Sequence, residues 1–309
     1  MLTWDATLKR AATGRLRMWG MPLVYILVLA VVQGLAELLP VSSSAHVVVA
    51  EKLLGLDPSS PPMTLLLVML HTGTMFAVIV YFWRQWREVY FGSLAAFKKI
   101  AGYLVLATGL TGLIGGAIIE IIEKIYFRGV PHAQIEDLFD HLELVAPALG
   151  LVGILILVTG LLEKRKVAGS SVNAHELNAR SAGIIGAVQG LSLPFRGFSR
   201  SGATISAGML LGVAKSRAEM FSFALAVVLT PVVVAREMMR VVQAGHANGA
   251  ASLSAAVVPS LIGAVFAFLA GLIALKWLSR WLEGGRWYLF GIYCLIAALG
   301  VSYLHHLGY

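Results

Sequence analysis

The sequence predicts an all-α polytopic membrane protein with about six spanning helices. Its 309 residues are 58% hydrophobic and only 13% charged, and the mean hydropathy is +0.82. Soluble domains carry about 25% charged residues, so a soluble fold could not cover this much apolar surface. Two further observations support this prediction. The chain has a series of long apolar segments, and one interrupted apolar segment occurs twice.

Six segments are long and apolar enough to span a bilayer, which takes about 20 mostly apolar residues. They are roughly 63–83, 101–122, 144–162, 218–235, 255–278 and 286–304. Regions 22–55 and 181–213 are also apolar, but clusters of Pro, Gly and Ser interrupt both near the middle. We expect each of these two regions to be broken into two short pieces.

The two broken regions resemble each other. Val32-Gln33-Gly34-Leu35 precedes a proline and a serine cluster, and Val188-Gln189-Gly190-Leu191 precedes Pro194 and Ser199-Arg200-Ser201. Three predicted spans follow each region, and an odd number of crossings per unit gives an inverted repeat with a site near the midplane. We predict a basic extension over 1–21 and a single membrane domain over 22–309, with repeat one about 22–162 and repeat two about 181–304.

The net charge of +8 belongs to loops between apolar segments and does not indicate a nucleic-acid partner. Loops 84–100, 163–180 and 276–286 hold eleven Lys and Arg, against four in the intervening loops, so they are expected in the cytoplasm. If each broken region enters and returns, both termini lie outside. The basic N-terminus favours instead a single crossing by 22–55 or a surface-lying extension, and the sequence leaves this open.

Polar chemistry is concentrated in the broken regions, where irregular backbone survives only inside protein or beside a wet cavity. Pro40 disfavours helical geometry at Leu39, so a new helix is expected just after it, with Ser42, Ser43 or Ser44 as N-cap. In the second region Gly197 and Gly202 bracket Ser199-Arg200-Ser201. Two helix N-termini meeting at the centre of the fold would form an anion site.

Several side chains suit a phosphate at such a site. The Arg200 guanidinium is a planar fork for phosphate oxygens, and the hydroxyls of Ser199, Ser201 and Thr204 can donate hydrogen bonds. Gln33 and Glu37 share one helical face, as do Ser42 and His46. A hydroxyl, an imidazole and a carboxylate suggest attack on phosphorus with acid–base help, and a carboxylate beside phosphate suggests a bridging divalent cation.

Two motifs closely resemble the bacterial undecaprenyl-diphosphate phosphatase family of the bacitracin-resistance type. The first is Gln33-Gly34-Leu35-Ala36-Glu37 followed by Leu39-Pro40-Val41-Ser42-Ser43-Ser44-Ala45-His46. The second is Gly197-Phe198-Ser199-Arg200-Ser201-Gly202-Ala203-Thr204. The stretches 70–83 and 208–212 also look like the family, and the resemblance covers about 22–304.

The resemblance implies hydrolysis of undecaprenyl diphosphate to undecaprenyl phosphate and inorganic phosphate, which recycles the lipid carrier of cell-wall precursors. It implies two re-entrant helical hairpins, a Mg²⁺ or Ca²⁺ requirement, and a site facing the outer side of the bacterial inner membrane. The expected partners are a polyprenyl diphosphate lipid and the bilayer, with a homodimer left open. The expected catalytic residues are Glu37, which is also the cation ligand, Ser43, His46 and Arg200; the expected substrate-binding residues are Gln33, Ser42, Ser44, Ser199, Ser201 and Thr204.

The sequence departs from the family pattern at two positions. Many members have Glu where Gln33 stands, so the cation should depend more on Glu37 and on the substrate diphosphate. Arg196 replaces the usual Pro before the second motif, and it suits either an added phosphate contact or an interface role without catalysis.

Three questions stay open at this point. The nucleophile can be Ser43, His46 or water. A polyprenyl-phosphate transporter or flippase could use the same anion site, because inverted repeats with broken helices are typical of carriers. A phosphatidic-acid-type phosphatase is disfavoured, because no histidine lies between Arg200 and His246.

Overall fold

The computed structural model describes residues 17–18, 21–57, 60–126, 142–169, 175–248 and 250–308. Two short strands, β1 Arg17–Met18 and β2 Met21–Pro22, pair antiparallel. Most of the predicted 1–21 extension lies outside the described residues. The helices within the described ranges are α1 Leu23–Leu38, α2 Ser43–Leu54, α3 Pro61–Val89, α4 Leu94–Tyr126, α5 Leu142–Gly169, α6 Ala179–Ser192, α7 Arg200–Leu210, α8 Lys215–Asn248, α9 Ala250–Glu283 and α10 Trp287–His306.

Six of these helices are long and apolar enough to cross a membrane, namely α3, α4, α5, α8, α9 and α10. They coincide with the six predicted spans, so the prediction of an all-α, multi-pass membrane protein is confirmed. Most of the helices run several residues beyond the predicted segments, because charged residues at their ends end the apolar pattern without ending the helix. Arg84, Arg87 and Glu88, for example, still belong to α3.

Both interrupted regions form helical hairpins. Helix α1 packs against α2, and α6 packs against α7. Leu39 ends α1 in an extended conformation (φ −74°, ψ 151°), as expected for a residue before proline. Asn178 starts α6 with a capping box, in which its side chain accepts a hydrogen bond from the Ser181 N–H. The element order of one hairpin and three long helices therefore occurs twice along the chain.

The glycines of the two repeated Val-Gln-Gly-Leu motifs hold equivalent packing positions. A Cβ on Gly34 would lie 2.7 Å from the carbonyl oxygen of Ala267 in α9. A Cβ on Gly190 would lie 2.9 Å from the carbonyl oxygen of Thr111 in α4. Since α4 and α9 are the corresponding helices of the two units, each hairpin packs by its glycine on the other unit's helix, as small residues allow in membranes.

The main core lies between the two units. It joins buried side chains of both, among them Leu38 and Ile156 from the first and Ile205 and Phe290 from the second. Cys294, the single cysteine, is buried in this core, which makes it a packing residue and not a lipid-facing one. Its Sγ donates to the Pro40 carbonyl at 3.4 Å, so the core reaches the turn of the first hairpin.

Candidate active site

The tips of the two hairpins touch each other. The Gly197 N–H donates to Ser44 Oγ at 3.3 Å, and Ser201 Oγ donates to the Leu39 carbonyl at 3.4 Å. Helix α2 begins at Ser43 and α7 begins at Arg200, so both helices start at this contact. The predicted meeting of two helix N-termini is confirmed, and their partial positive charges favour an anion there.

Unusual backbone conformations shape both tips. Ser42 has φ 66°, and it is the one non-glycine residue in the described ranges with positive φ. Gly197 has φ 96°, and a Cβ at this position would lie 2.3 Å from the Val145 carbonyl oxygen of α5. Glycine is therefore needed at 197 both for its conformation and for the close approach of α5.

Glu37 is the centre of the polar cluster. Its Oε1 accepts a hydrogen bond from Arg200 Nη2 at 2.9 Å. Its Oε2 accepts from Ser43 Oγ at 2.5 Å and from Gln33 Nε2 at 3.2 Å. The side chains of Glu37 and Arg200 are 17% and 21% exposed, so the ion pair is largely shielded but still reachable from solvent. This pair joins a residue of the first motif to one of the second.

His71 also belongs to this cluster, and the sequence analysis did not identify it. It lies in α3, where its Nδ1 donates to the Leu67 carbonyl at 2.8 Å. Its Nε2 is 3.8 Å from Glu37 Oε2, and its side chain is 41% exposed. The available signal was an ionisable residue within an apolar span, which is usually functional in membrane proteins.

His46 has a different environment from the one expected. Its Nδ1 donates to the Ser42 carbonyl at 2.8 Å, so in the neutral ring Nε2 accepts from the Tyr293 hydroxyl at 2.6 Å. The two rings stack with centroids 5.6 Å apart. Among the described residues, no hydrogen bond or ion pair joins His46 to the Glu37–Arg200 pair. Tyr293, in α10, is a second neighbour that the sequence analysis missed.

The serines divide into different environments. Ser199 caps α7, since its Oγ accepts from the Gly202 N–H at 3.2 Å. Ser42 stands at the N-cap position of α2, but its side chain makes no capping hydrogen bond and its Oγ lies 3.2 Å from Ser44 Oγ. The prediction that one of these serines is the N-cap of α2 is confirmed for Ser42, but without a capping hydrogen bond from its side chain. The first N–H groups of α2 therefore lack a side-chain cap.

The hydroxyls of the second motif are buried. Ser199, Ser201 and Thr204 are at most 3% exposed. Thr204 Oγ1 donates to the Arg200 carbonyl at 2.8 Å and lies 2.6 Å from Ser222 Oγ. Thr204 thus braces the first turn of α7, which carries Arg200. A direct contact of these hydroxyls with substrate stays a prediction.

The donor set fits a divalent cation that is bound together with phosphate. No three His, Cys, Asp or Glu side chains come together anywhere in the described part of the chain. Mg²⁺, however, is commonly held by one or two carboxylates plus substrate phosphate oxygens. Glu37 offers a carboxylate, and the Ser43 hydroxyl offers a neutral oxygen 2.5 Å from it. Gln33 presents its amide nitrogen to the carboxylate, so its amide oxygen is available only if the amide group turns over.

The chain is similar to known proteins over most of its length. The family model described as bacitracin resistance protein BacA matches residues 26–300, which include both hairpins. A protein of Acinetobacter baylyi named undecaprenyl-diphosphatase 2 is 56% identical over 278 residues, covering 89% of this chain and 95% of that protein. One of Desulfosudis oleivorans named undecaprenyl-diphosphatase is 34% identical over 286 residues, covering 87% of this chain and 93% of that protein.

A third relative, from Burkholderia thailandensis and named undecaprenyl-diphosphatase 2, is 32% identical over 286 residues, covering 90% of this chain and 95% of that protein. These matches run through nearly the whole length of each relative and are not confined to the two motifs. The chain therefore belongs to the bacitracin resistance protein BacA family.

Proposed function

We propose that this protein is a membrane-embedded phosphatase that hydrolyses undecaprenyl diphosphate to undecaprenyl phosphate and inorganic phosphate. The observation that carries the proposal is the direct contact of Arg200, Glu37 and Ser43 where two helices start. The chain is 56% identical to a protein named undecaprenyl-diphosphatase 2, which supports the choice of lipid.

Arg200 is the group that binds the terminal phosphoryl oxygens. One Nη donates to Glu37, which fixes the orientation of the guanidinium and leaves further N–H groups for phosphate. The uncapped N–H groups at the start of α2 add donors on the other hairpin. Charge that develops on the phosphoryl group during in-line displacement is stabilised by such preorganised donors.

Ser43 and water are the nucleophiles that the site can supply beside Glu37. Ser43 Oγ donates to Glu37 Oε2 at 2.5 Å, so Glu37 is the group placed to accept the Ser43 proton. Attack on the terminal phosphorus breaks its bond to the bridging oxygen, which leaves with undecaprenyl phosphate. If Ser43 attacks, water then cleaves the phosphoserine; His46, predicted as acid–base partner or nucleophile, would have to leave Tyr293 to take part.

A divalent cation held by Glu37, with the Gln33 side chain nearby, would neutralise charge on the diphosphate. This role is a proposal that rests on the donor set, and it predicts that chelation abolishes turnover. Mg²⁺ and Ca²⁺ both accept such oxygen ligands.

The site opens, in this proposal, to the outer side of the bacterial inner membrane. His71 lies about 15 Å from the Pro61 end of α3 and about 27 Å from its Val89 end, at about 1.5 Å per residue. The Val89 end belongs to a basic loop, which the positive-inside rule assigns to the cytoplasm. The site is therefore closer to the opposite face. A homodimer remains a prediction.

Phosphate release from undecaprenyl diphosphate by the purified protein in detergent tests the proposal. We expect one inorganic phosphate released for each undecaprenyl phosphate formed. Transfer of labelled lipid across the bilayer of proteoliposomes without phosphate release would contradict the proposed phosphatase and would favour the carrier hypothesis. Samples quenched in detergent at neutral pH probe the nucleophile, since an adduct on Ser43 or His46 identifies a covalent route and its absence favours water. Acid is avoided because phosphohistidine is acid-labile.

A further inference from the structure

His71 places a ring nitrogen beside the carboxylate of the site. Its Nε2 lies 3.8 Å from Glu37 Oε2, while its Nδ1 is committed to the Leu67 carbonyl. We propose that His71 Nε2 and Glu37 Oε2 together ligate the divalent cation of this site. The inference rests on the proposed function only for the role of the cation in phosphate hydrolysis. The ligation itself can be tested without turnover.

The separation of the two atoms fits a cation between them. With metal–ligand bonds of about 2.1 Å, two ligands of one cation are about 3.0 Å apart in adjacent octahedral positions and at most about 4.2 Å apart in opposite ones. The observed 3.8 Å lies between these two values, so a movement of less than about 1 Å by either side chain gives an octahedral angle at the cation. It is longer than a hydrogen bond between the same atoms would be.

The environment of the ring prepares Nε2 for a metal. A metal-binding histidine usually donates its other N–H to a carbonyl or carboxylate, which fixes the tautomer and the ring orientation. The Leu67 carbonyl does this for His71, so the lone pair of the neutral ring is on Nε2. The His71 side chain is 41% exposed against 17% for Glu37, which places it on the more accessible side of the carboxylate.

Arg200 does not compete with the cation for the same atom. The guanidinium binds Glu37 Oε1, whereas His71, Ser43 and Gln33 face Oε2. A cation at Oε2 would take the Ser43 hydroxyl as a further ligand, and the Gln33 amide oxygen only after the amide turns over, because Gln33 Nε2 faces Oε2. Phosphate oxygens and water would complete its coordination, because the protein offers too few ligands for a closed site.

A nitrogen ligand has a consequence for metal preference. Ca²⁺ prefers oxygen ligands alone, whereas Mn²⁺, a first-row transition metal, accepts an imidazole beside them. We therefore expect Mn²⁺ to bind this protein more tightly than Ca²⁺ does, and this preference to be smaller when His71 is replaced by glutamine.

Electron paramagnetic resonance of bound Mn²⁺ tests the ligand directly. The tag-free protein is prepared in detergent and amine-free buffer with Mn²⁺ and inorganic pyrophosphate, which stands in for the phosphate oxygens of the lipid. The wild type should show electron spin-echo modulation from a directly bound ¹⁴N. His71→Gln should lose this modulation and bind Mn²⁺ at least about tenfold more weakly, since even outer-sphere partners contribute about this much.

His46→Gln is the matched control and should keep the ¹⁴N modulation. Modulation that persists in His71→Gln, or that disappears in His46→Gln, overturns the inference. A wild type that shows no ¹⁴N modulation also overturns the inference, whether Mn²⁺ binds through oxygen ligands alone or does not bind. Equal gel-filtration profiles show that both variants are folded. Phosphate release from undecaprenyl diphosphate is measured separately, so failure of the proposed function is distinguished from failure of the ligand assignment.

Discussion

Gly197→Ala tests whether the tip of the second hairpin must stay in its observed position. The new methyl group would lie 2.3 Å from the Val145 carbonyl oxygen, a distance that must increase by about 1 Å to become an ordinary contact. The positive φ of 96° adds a backbone cost of about 1–2 kcal/mol for an L-residue, and overpacking adds about 1–3 kcal/mol. We therefore expect a destabilisation of about 2–5 kcal/mol.

Turnover should fall as well, because Arg200 is only three residues further along. A displacement of about 1 Å in an active site can cost about 100-fold in rate, and we expect a loss of this size in phosphate release. Unfolding is measured with a thiol-reactive fluorogenic dye that reports the exposure of Cys294, the single cysteine, which is buried in the folded protein.

Gly109→Ala is the matched control. A Cβ on Gly109 would meet nothing within 4 Å, and alanine is the better helix former by up to about 1 kcal/mol. Its turnover and unfolding temperature should equal or slightly exceed those of the wild type. Turnover of Gly197→Ala within about twofold of wild type, with an unchanged unfolding temperature, would refute the requirement for glycine at the hairpin tip.

Three further predictions concern the charges and the sidedness of the site. Arg200→Lys should lower kcat/KM by about 100-fold, since one ammonium cannot bind both Glu37 and phosphate, and near-normal turnover would disprove the phosphate clamp. Arg217→Lys is the control: Arg217 lines a cavity with Glu88, which is about 25 Å along α3 from His71, so kcat/KM should stay unchanged. Glu37→Gln should abolish turnover or its cation dependence, and an unaltered Mg²⁺ titration would exclude Glu37 as a ligand. In intact cells an impermeant maleimide should label Ser60→Cys but not Arg286→Cys, and the reverse pattern would place the site on the cytoplasmic side.

The arrangement of helices was predictable because hydropathy alone separates long apolar spans from interrupted ones. Pro40 and the glycine-flanked Arg200 motif marked the two breaks, and the structure has a helix start at Ser43, just after Pro40, and one at Arg200 itself. The polar residues of the breaks were predictable because polar groups are rare at membrane depth. The repeat was predictable from the recurring motif, whose glycines Gly34 and Gly190 hold equivalent positions in the packing.

The neighbours of these residues were not predictable in the same way. Tyr293 belongs to a span that looks ordinary in sequence. His71 was marked by its ionisable ring within an apolar span, but its partner was not, since the direction a span side chain faces depends on packing between distant helices. The environment of His46 differed for this reason, since Tyr293 is 247 residues further along the chain. Ser42 is the N-cap of α2, as predicted, but the missing capping hydrogen bond was not predictable, since a positive φ is unusual for serine.

Phosphate release from undecaprenyl diphosphate, compared between wild type with Mg²⁺, wild type with EDTA and Arg200→Ala, tests most directly whether the two hairpin tips form one phosphate site. Release by the wild type that EDTA abolishes, and that Arg200→Ala lowers by about 100-fold or more, is the predicted result. Release that continues unchanged in Arg200→Ala would contradict the site. No release from a wild type that still binds the lipid would contradict the phosphatase itself.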